Sequence, residues 1–164
     1  MFTGDRSGDW LYEALHAYGF ASSPRSVSRD DGLELRDAYV TAVVRCAPPD
    51  NKPSGEEEDN CRRFLVRELE ALANARVVVA LGKIAFDGFL AAWKELGREV
   101  GRPRPKFFHG SEDRLEPSVS LLGSYHPSQQ NTFTGRLTRP MFHRIFRTAR
   151  RRLDGSVAPP RKRS

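Results

Sequence analysis

The chain has little sulfur, with two cysteines and two methionines in 164 residues. Cys46 and Cys61 are separated by fourteen residues and cannot build a disulfide framework. In a reducing compartment they are ordinary core residues, half of a metal site, or thiols without a role, and on their own they favour the ordinary reading. Long hydrophobic runs are missing too. The longest aliphatic stretch, Val77–Leu81, is far too short to span a bilayer, and nothing before it has the pattern of a signal peptide. The expected compartment is therefore the cytoplasm, with no membrane partner. No Walker-type glycine-rich loop occurs, Gly82 alone being a weak signal. Histidine and aspartate are too sparse for a zinc or two-metal hydrolase, which disfavours a generic nucleotide hydrolase.

What the chain does have is uneven charge. From Arg136 to Ser164 there are ten Lys/Arg against the single acidic Asp154, whereas residues 1–135 carry a net −3. A basic C-terminal segment on a mildly acidic body suggests a polyanionic partner, nucleic acid being the commonest. A solvated helix face with a disordered tail explains the charge equally well.

Hydrophobic spacing defines the elements. Trp10, Leu11, Ala14, Leu15 and Tyr18 put a helix over Ser7–Gly19, and Ser22–Asp37 reads as a loop. The β-branched Ala38–Val44 predicts a buried strand. Pro48, Pro49 and Pro53 forbid helix over Cys46–Pro53. Ser54 and the acidic residues that follow begin a helix reaching about Ala73. Arg76–Leu81 predicts the next strand, and Gly82 turns it into a helix from Lys83 to about Leu96. Gly97–Glu116 reads as a long loop and Ser118–Tyr125 as a third strand. Thr138 caps a last helix that buries Met141, Phe142, Ile145, Phe146 and Ala149. Residues 154–164 read as a basic tail beyond a single domain over 1–153. These elements predict an α/β fold with a parallel sheet, covered on both faces, that binds its ligand beyond the carboxyl ends of its strands. Cys46–Pro53, Gly82 and His126–Asn131 all fall at such ends.

Gly123–Thr138 is the most informative segment. After an apolar strand it presents one imidazole, a stiffening proline and a row of uncharged hydrogen-bonding side chains. His126 is accordingly the leading functional candidate. A neutral imidazole there can donate to a developing anion, a contact worth about 3–4 kcal/mol in a dry site. His109 and His143 lack that setting and read as structural or exposed. Asp5 immediately precedes a helix, so a cap is the simpler role and a carboxylate orienting a water the functional one. Asn51 sits in a proline-rich turn, where a turn role is the default. Phe2 reads equally as a core aromatic.

Taken in order, these motifs resemble the family-5 uracil-DNA glycosylases, bacterial and archaeal enzymes that carry an iron–sulfur cluster. The resemblance rests on Phe2-Thr3-Gly4-Asp5 with Ser7-Gly8, on Val40–Pro53 (Val-Thr-Ala-Val-Val-Arg-Cys-Ala-Pro-Pro-Asp-Asn-Lys-Pro), on Val79–Ala85, and on Ser124–Met141. It spans nearly all of residues 1–153. It implies a three-layer α/β/α sandwich around a mainly parallel sheet, its first strand missing, and a monomer that acts on DNA containing uracil or other deaminated bases. Such enzymes swing the base out of the duplex because its glycosidic bond is unreachable in the stack.

By resemblance, Phe2 stacks on the base, His126 donates to uracil O2 as the base leaves as an anion, Asp5 positions the attacking water, and Asn51 supports the site. Ser128, Gln129, Gln130 and Asn131 press into the duplex. Arg136 holds phosphates, as do Arg147 and Arg150–Arg152 of the basic helix. Cys46 and Cys61 match one pair of ligands of a [4Fe–4S] cluster, which takes four thiolates. The family's other pair lies upstream, so the expectation is a sequence truncated at Met1. Family-4 relatives carry a base-reading asparagine where this chain has Ala42, implying a roomier pocket that also accepts hypoxanthine. The alternative is a catalytically inert DNA-binding remnant of the same fold.

Overall fold

A computed structural model describes residues 5–28, 30–45 and 55–155, apart from the side chains of residues 57 and 58. Phe2, Cys46 and Asn51 lie outside the described residues. Helix α1 spans Arg6–Ala17 and α2 Gly55–Ala71, followed by strand β1 (Val77–Leu81), helix α3 (Lys83–Glu95) and strands β2 (Glu112–Glu116) and β3 (Val119–Ser124). The short helix α4 (Gln129–Phe133) leads into α5 (Arg139–Gly155).

Local chemistry explains the boundaries. Asp5 Oδ1 accepts from the Gly8 amide at 2.5 Å and caps α1. The same helix ends where Gly19, at φ 75°, lets Gly19 N–H reach the His16 carbonyl and Phe20 N–H reach that of Leu15. Thr138 Oγ1 accepts from Met141 N–H at the head of α5, as the sequence predicts. That helix continues two residues past the expected boundary, taking in Asp154 and Gly155.

Alternation along the strands builds the layers. Val77, Val79 and Leu81 turn with Leu122 toward the apolar sides of α1 and α5. Val78 and Ala80 turn the other way with Val119 and Leu121, beneath Phe86, Phe89, Leu90 and Trp93 of α3. Trp10, Phe142 and Phe146 pack edge to face in the first layer, with centroids 6.1 and 5.1 Å apart. The α/β/α layering is thus as expected, but the sheet is mixed. β1 pairs parallel with β3, and β2 pairs antiparallel with the other side of β3, in the order β1-β3-β2.

Two expectations are corrected. The segment read as one loop over Gly97–Glu116 contains β2, whose Glu-Asp-Arg-Leu-Glu sequence is an edge strand kept polar where it faces water. Ala38–Val44 joins no ladder among the described residues and bends at Val43. It still lies between layers as a strand would. Ala38 and Val40 pack on the α1/α5 side, and Val43 fills the space that a side chain at Gly88 of α3 would occupy.

Candidate active site

β1 and β3 end side by side, and the Gly82 amide donates to the Ser124 carbonyl at 2.7 Å, tying the two ends. Gly82 has φ 98°, and a Cβ there would lie 3.5 Å from the Cβ of His126. A Cβ at that distance would make an ordinary contact, so it is the positive φ of the turn after β1 that calls for glycine beside the histidine. Pro127 is fully buried and anchors the turn from below. Ser128 caps α4 by accepting from the Asn131 amide at 3.4 Å. The side chain of Asn131 turns back, and its Nδ2 donates to the His126 carbonyl at 2.9 Å.

The residue before His126 is held as firmly. Tyr125 N–H donates to Nδ1 of His109 at 3.1 Å, with the rings 5.1 Å apart. The Arg136 guanidinium lies over the Tyr125 ring, 4.6 Å from its centroid. His109 is the residue that sequence reasoning missed. It sits in the proline-rich loop before β2, sixteen residues from its partner, with no local motif to mark it.

Burial pushes the pKa of His126 below that of an ordinary histidine, against the opposing pull of the Asp5 carboxylate. At neutral pH the ring is therefore uncharged, with one nitrogen donating and one accepting. The start of α1 thus meets the loop after β3 electrostatically, through Asp5 and His126. It also meets that loop by packing, because the Arg6 guanidinium lies 4.2 Å from the Phe133 ring centroid. Asp5 is both the expected cap and a charge acting on the candidate imidazole.

The expected DNA contacts divide. Gln129, Gln130 and Arg136 are exposed. Ser128 is engaged as a cap and the Asn131 side chain in holding His126. On α5, Arg147 and Arg151 are exposed, but Arg150 turns inward to the Tyr18 carbonyl at 3.0 Å and over the Phe20 ring. Arg152 pairs with Glu112 of β2.

Cys61 is half-buried on α2. One to two turns further along that helix, Glu68 accepts from Tyr39 at 2.9 Å, from Thr41 at 2.5 Å, and from Arg45, which also lies over the Phe64 ring. Burial raises the pKa of Glu68, but these donors outweigh it and hold the carboxyl below its usual range. The chain entering Cys46 is therefore fastened to the helix that carries Cys61. Among the described residues no three His, Cys, Asp or Glu side chains converge as a metal-binding group. No helix among them is long and apolar enough to cross a membrane.

The chain that builds this mixed sheet, with a histidine beside a glycine at the carboxyl ends of β1 and β3, has relatives by sequence. Residues 1–150 match the family described as the Uracil DNA glycosylase superfamily, and the chain belongs to it. More particularly, it is similar to the Type-5 uracil-DNA glycosylase of Mycobacterium tuberculosis, 48% identical over 152 residues that cover 92% of this chain and 55% of that protein. It is also similar to the Type-5 uracil-DNA glycosylase of Thermus thermophilus, 48% identical over 150 residues, 92% of this chain and 66% of the relative. The Type-4 uracil-DNA glycosylase of Archaeoglobus fulgidus is 33% identical over 98 residues, 59% of this chain and 48% of the relative. The chain thus spans about half to two thirds of the length of these curated relatives.

Proposed function

We propose that the protein removes uracil, and other deaminated bases such as hypoxanthine, from DNA by hydrolysing the N-glycosidic bond and leaving an abasic site. In this reading it acts as a monomer in the cytoplasm. The observation that carries the proposal is His126, uncharged through burial and held from both sides at the strand ends where this fold binds its ligand. As the bond to the sugar breaks, its electron pair leaves with the base, and the imidazole N–H donates to the carbonyl oxygen where that charge gathers. Water adds to the sugar carbon and gives up a proton, which ends on the departing base anion. Asp5 spends Oδ1 on its cap, and the same carboxylate orients the water. Phe2 supplies a stacking face for the extruded base, a contact worth about 1–3 kcal/mol, and Asn51 supports the site. Arg136, Gln129 and Gln130 meet the DNA strand. Ala42 offers the base edge no hydrogen bond, so the pocket discriminates less between bases.

For Cys46 and Cys61 the proposed role is one pair of thiolates to a [4Fe–4S] cluster. Four are required and the chain has two. The residues present do not by themselves fit a whole cluster, and no step of the chemistry runs through it. The test is incubation with a uracil-containing oligonucleotide followed by alkaline cleavage at abasic sites. Strand scission at the uracil position is expected. Binding without any abasic product would replace the enzyme with an inert DNA-binding form of the fold.

A further inference from the structure

The end of the sheet opposite His126 carries a second charged feature, which takes in Arg151 and Arg152 of the basic helix. A hollow of about 170 Å³ opens there, lined by Arg76, Arg114, Arg151 and Arg152 together with Ser118 and Ser120. It lies where β3 begins, while His126 lies two residues past the end of β3. Six strand residues, roughly 20 Å, separate the two.

The imbalance of charge at this hollow rests on Arg114 and Arg151. Arg152 is matched by Glu112. The nearby acids are committed elsewhere, Glu116 to Arg98 and Asp154 to Arg150. No carboxylate among the described residues pairs with Arg114 or Arg151. A second hollow, between α2 and α3, shows the contrast. It is lined by Arg62, Asp87 and Arg104 among others, but there Asp87 meets both Lys83 and Arg104, and Arg62 pairs with Asp59. Guanidinium groups gathered round a small cavity repel one another unless an anion sits between them. Planar forks with hydroxyls beside them suit the tetrahedral oxygens of phosphate. The exposed Arg144, Arg147 and Arg151 recur at helical spacing along α5 and lead to it.

We propose that Arg76, Arg114, Arg151, Ser118 and Ser120 form a phosphate-binding site, separate from the base-excision centre, that takes either a free phosphate or a phosphodiester of a nucleic-acid backbone. It does not rest on the base-excision reading, and uracil excision measured alongside reports on that reading separately.

The experiment compares the full chain with Arg114→Gln/Arg151→Gln, and with each single variant should the pair fail to fold. Inorganic phosphate binding is measured by calorimetry against chloride at equal ionic strength. Affinities for undamaged duplexes of about 12 and 30 base pairs are measured across a salt series. Phosphate binding to the full chain is expected, and the variant should bind about tenfold more weakly. If the variant also loses the preference for the longer duplex, and its salt slope drops by about two, the phosphate comes from a nucleic-acid backbone. If duplex binding is unchanged while phosphate binding falls, the ligand is free phosphate. Phosphate binding no stronger than chloride, or equal in full chain and variants, overturns the site.

Discussion

The side-chain amide of Asn131 donates to the backbone carbonyl of His126 across 2.9 Å, fastening the first residue of the loop to the first turns of α4. The family resemblance put Asn131 among residues that press into the duplex, and the structure gives its side-chain amide a second task within the loop. Asn131→Ala should let His126 drift, and a shift of about 1 Å in a reacting group costs about 100-fold. Asn131→Asp should be no better, because a carboxylate has no proton to give the carbonyl. The check is single-turnover excision at saturating enzyme beside duplex affinity. The rate should fall while affinity holds; the reverse pattern would return Asn131 to the DNA surface.

His126→Ala should slow single-turnover excision by about 100-fold or more if the ring takes up charge from the leaving base. Its ionisation is accessible independently. Burial lowers its pKa from 6.5 and Asp5 pulls it back up, so NMR should find His126 titrating below an ordinary histidine. Removing the Asp5 charge should lower it further. A pKa that does not respond to Asp5 would separate the two residues.

The two roles of Asp5 come apart by substitution. Asparagine caps a helix about as well as aspartate, whereas alanine loses about 1 kcal/mol. Asp5→Asn should therefore keep the thermal midpoint and lose excision, since the amide bears no charge to orient the water. Asp5→Ala should lose both. If Asp5→Asn keeps full activity, the residue is only a cap.

Stability should fall with acidity well before the carboxylates titrate. His109, His126 and His143 all have pKa values lowered from 6.5, chiefly by burial. As pH falls through that value, the unfolded chain takes up protons that the folded chain refuses. By linkage, folding is favoured above that pH and weakened below it. His109 adds a specific reason, because Nδ1 cannot accept from Tyr125 once protonated. The thermal midpoint should drop between about pH 7.5 and pH 5.5, and His109→Gln should blunt the drop. A flat midpoint over that range would mean these rings are not buried as described.

What the sequence revealed of the fold followed the strength of the local signal. The four longer helices were placed to within a few residues, as were the apolar β1 and β3, whereas the short α4, which buries no residue, was not read as a helix. β2 was not legible, because an edge strand of mainly charged residues is written like a loop. The opposite error arose at Ala38–Val44. Val40 and Val43 are apolar because helices pack against them, a demand met here by irregular chain without a ladder. At the site, His126 was legible from its proline and its place after β3. The supports from His109 and Asn131 were not, since a bond across sixteen residues and an inward-turning amide leave no pattern in composition.

Arg150 shows how charge misleads when read without direction. It belongs to the basic run of α5, yet it donates to the Tyr18 carbonyl at 3.0 Å and lies 4.0 Å from the Phe20 ring centroid. It thereby closes the end of α1 onto the last helix. Arg150→Ala should destabilise the fold by about 1–2 kcal/mol, from a lost charge-assisted hydrogen bond and a lost cation–π contact. Its affinity for DNA, corrected for folded fraction, should be unchanged. Arg147, exposed on the same helix, should tolerate alanine with no change in thermal midpoint. Denaturant unfolding of the two variants decides the matter: equal midpoints would mean that Arg150 is as solvated as its neighbour, and that the contact with Tyr18 contributes nothing.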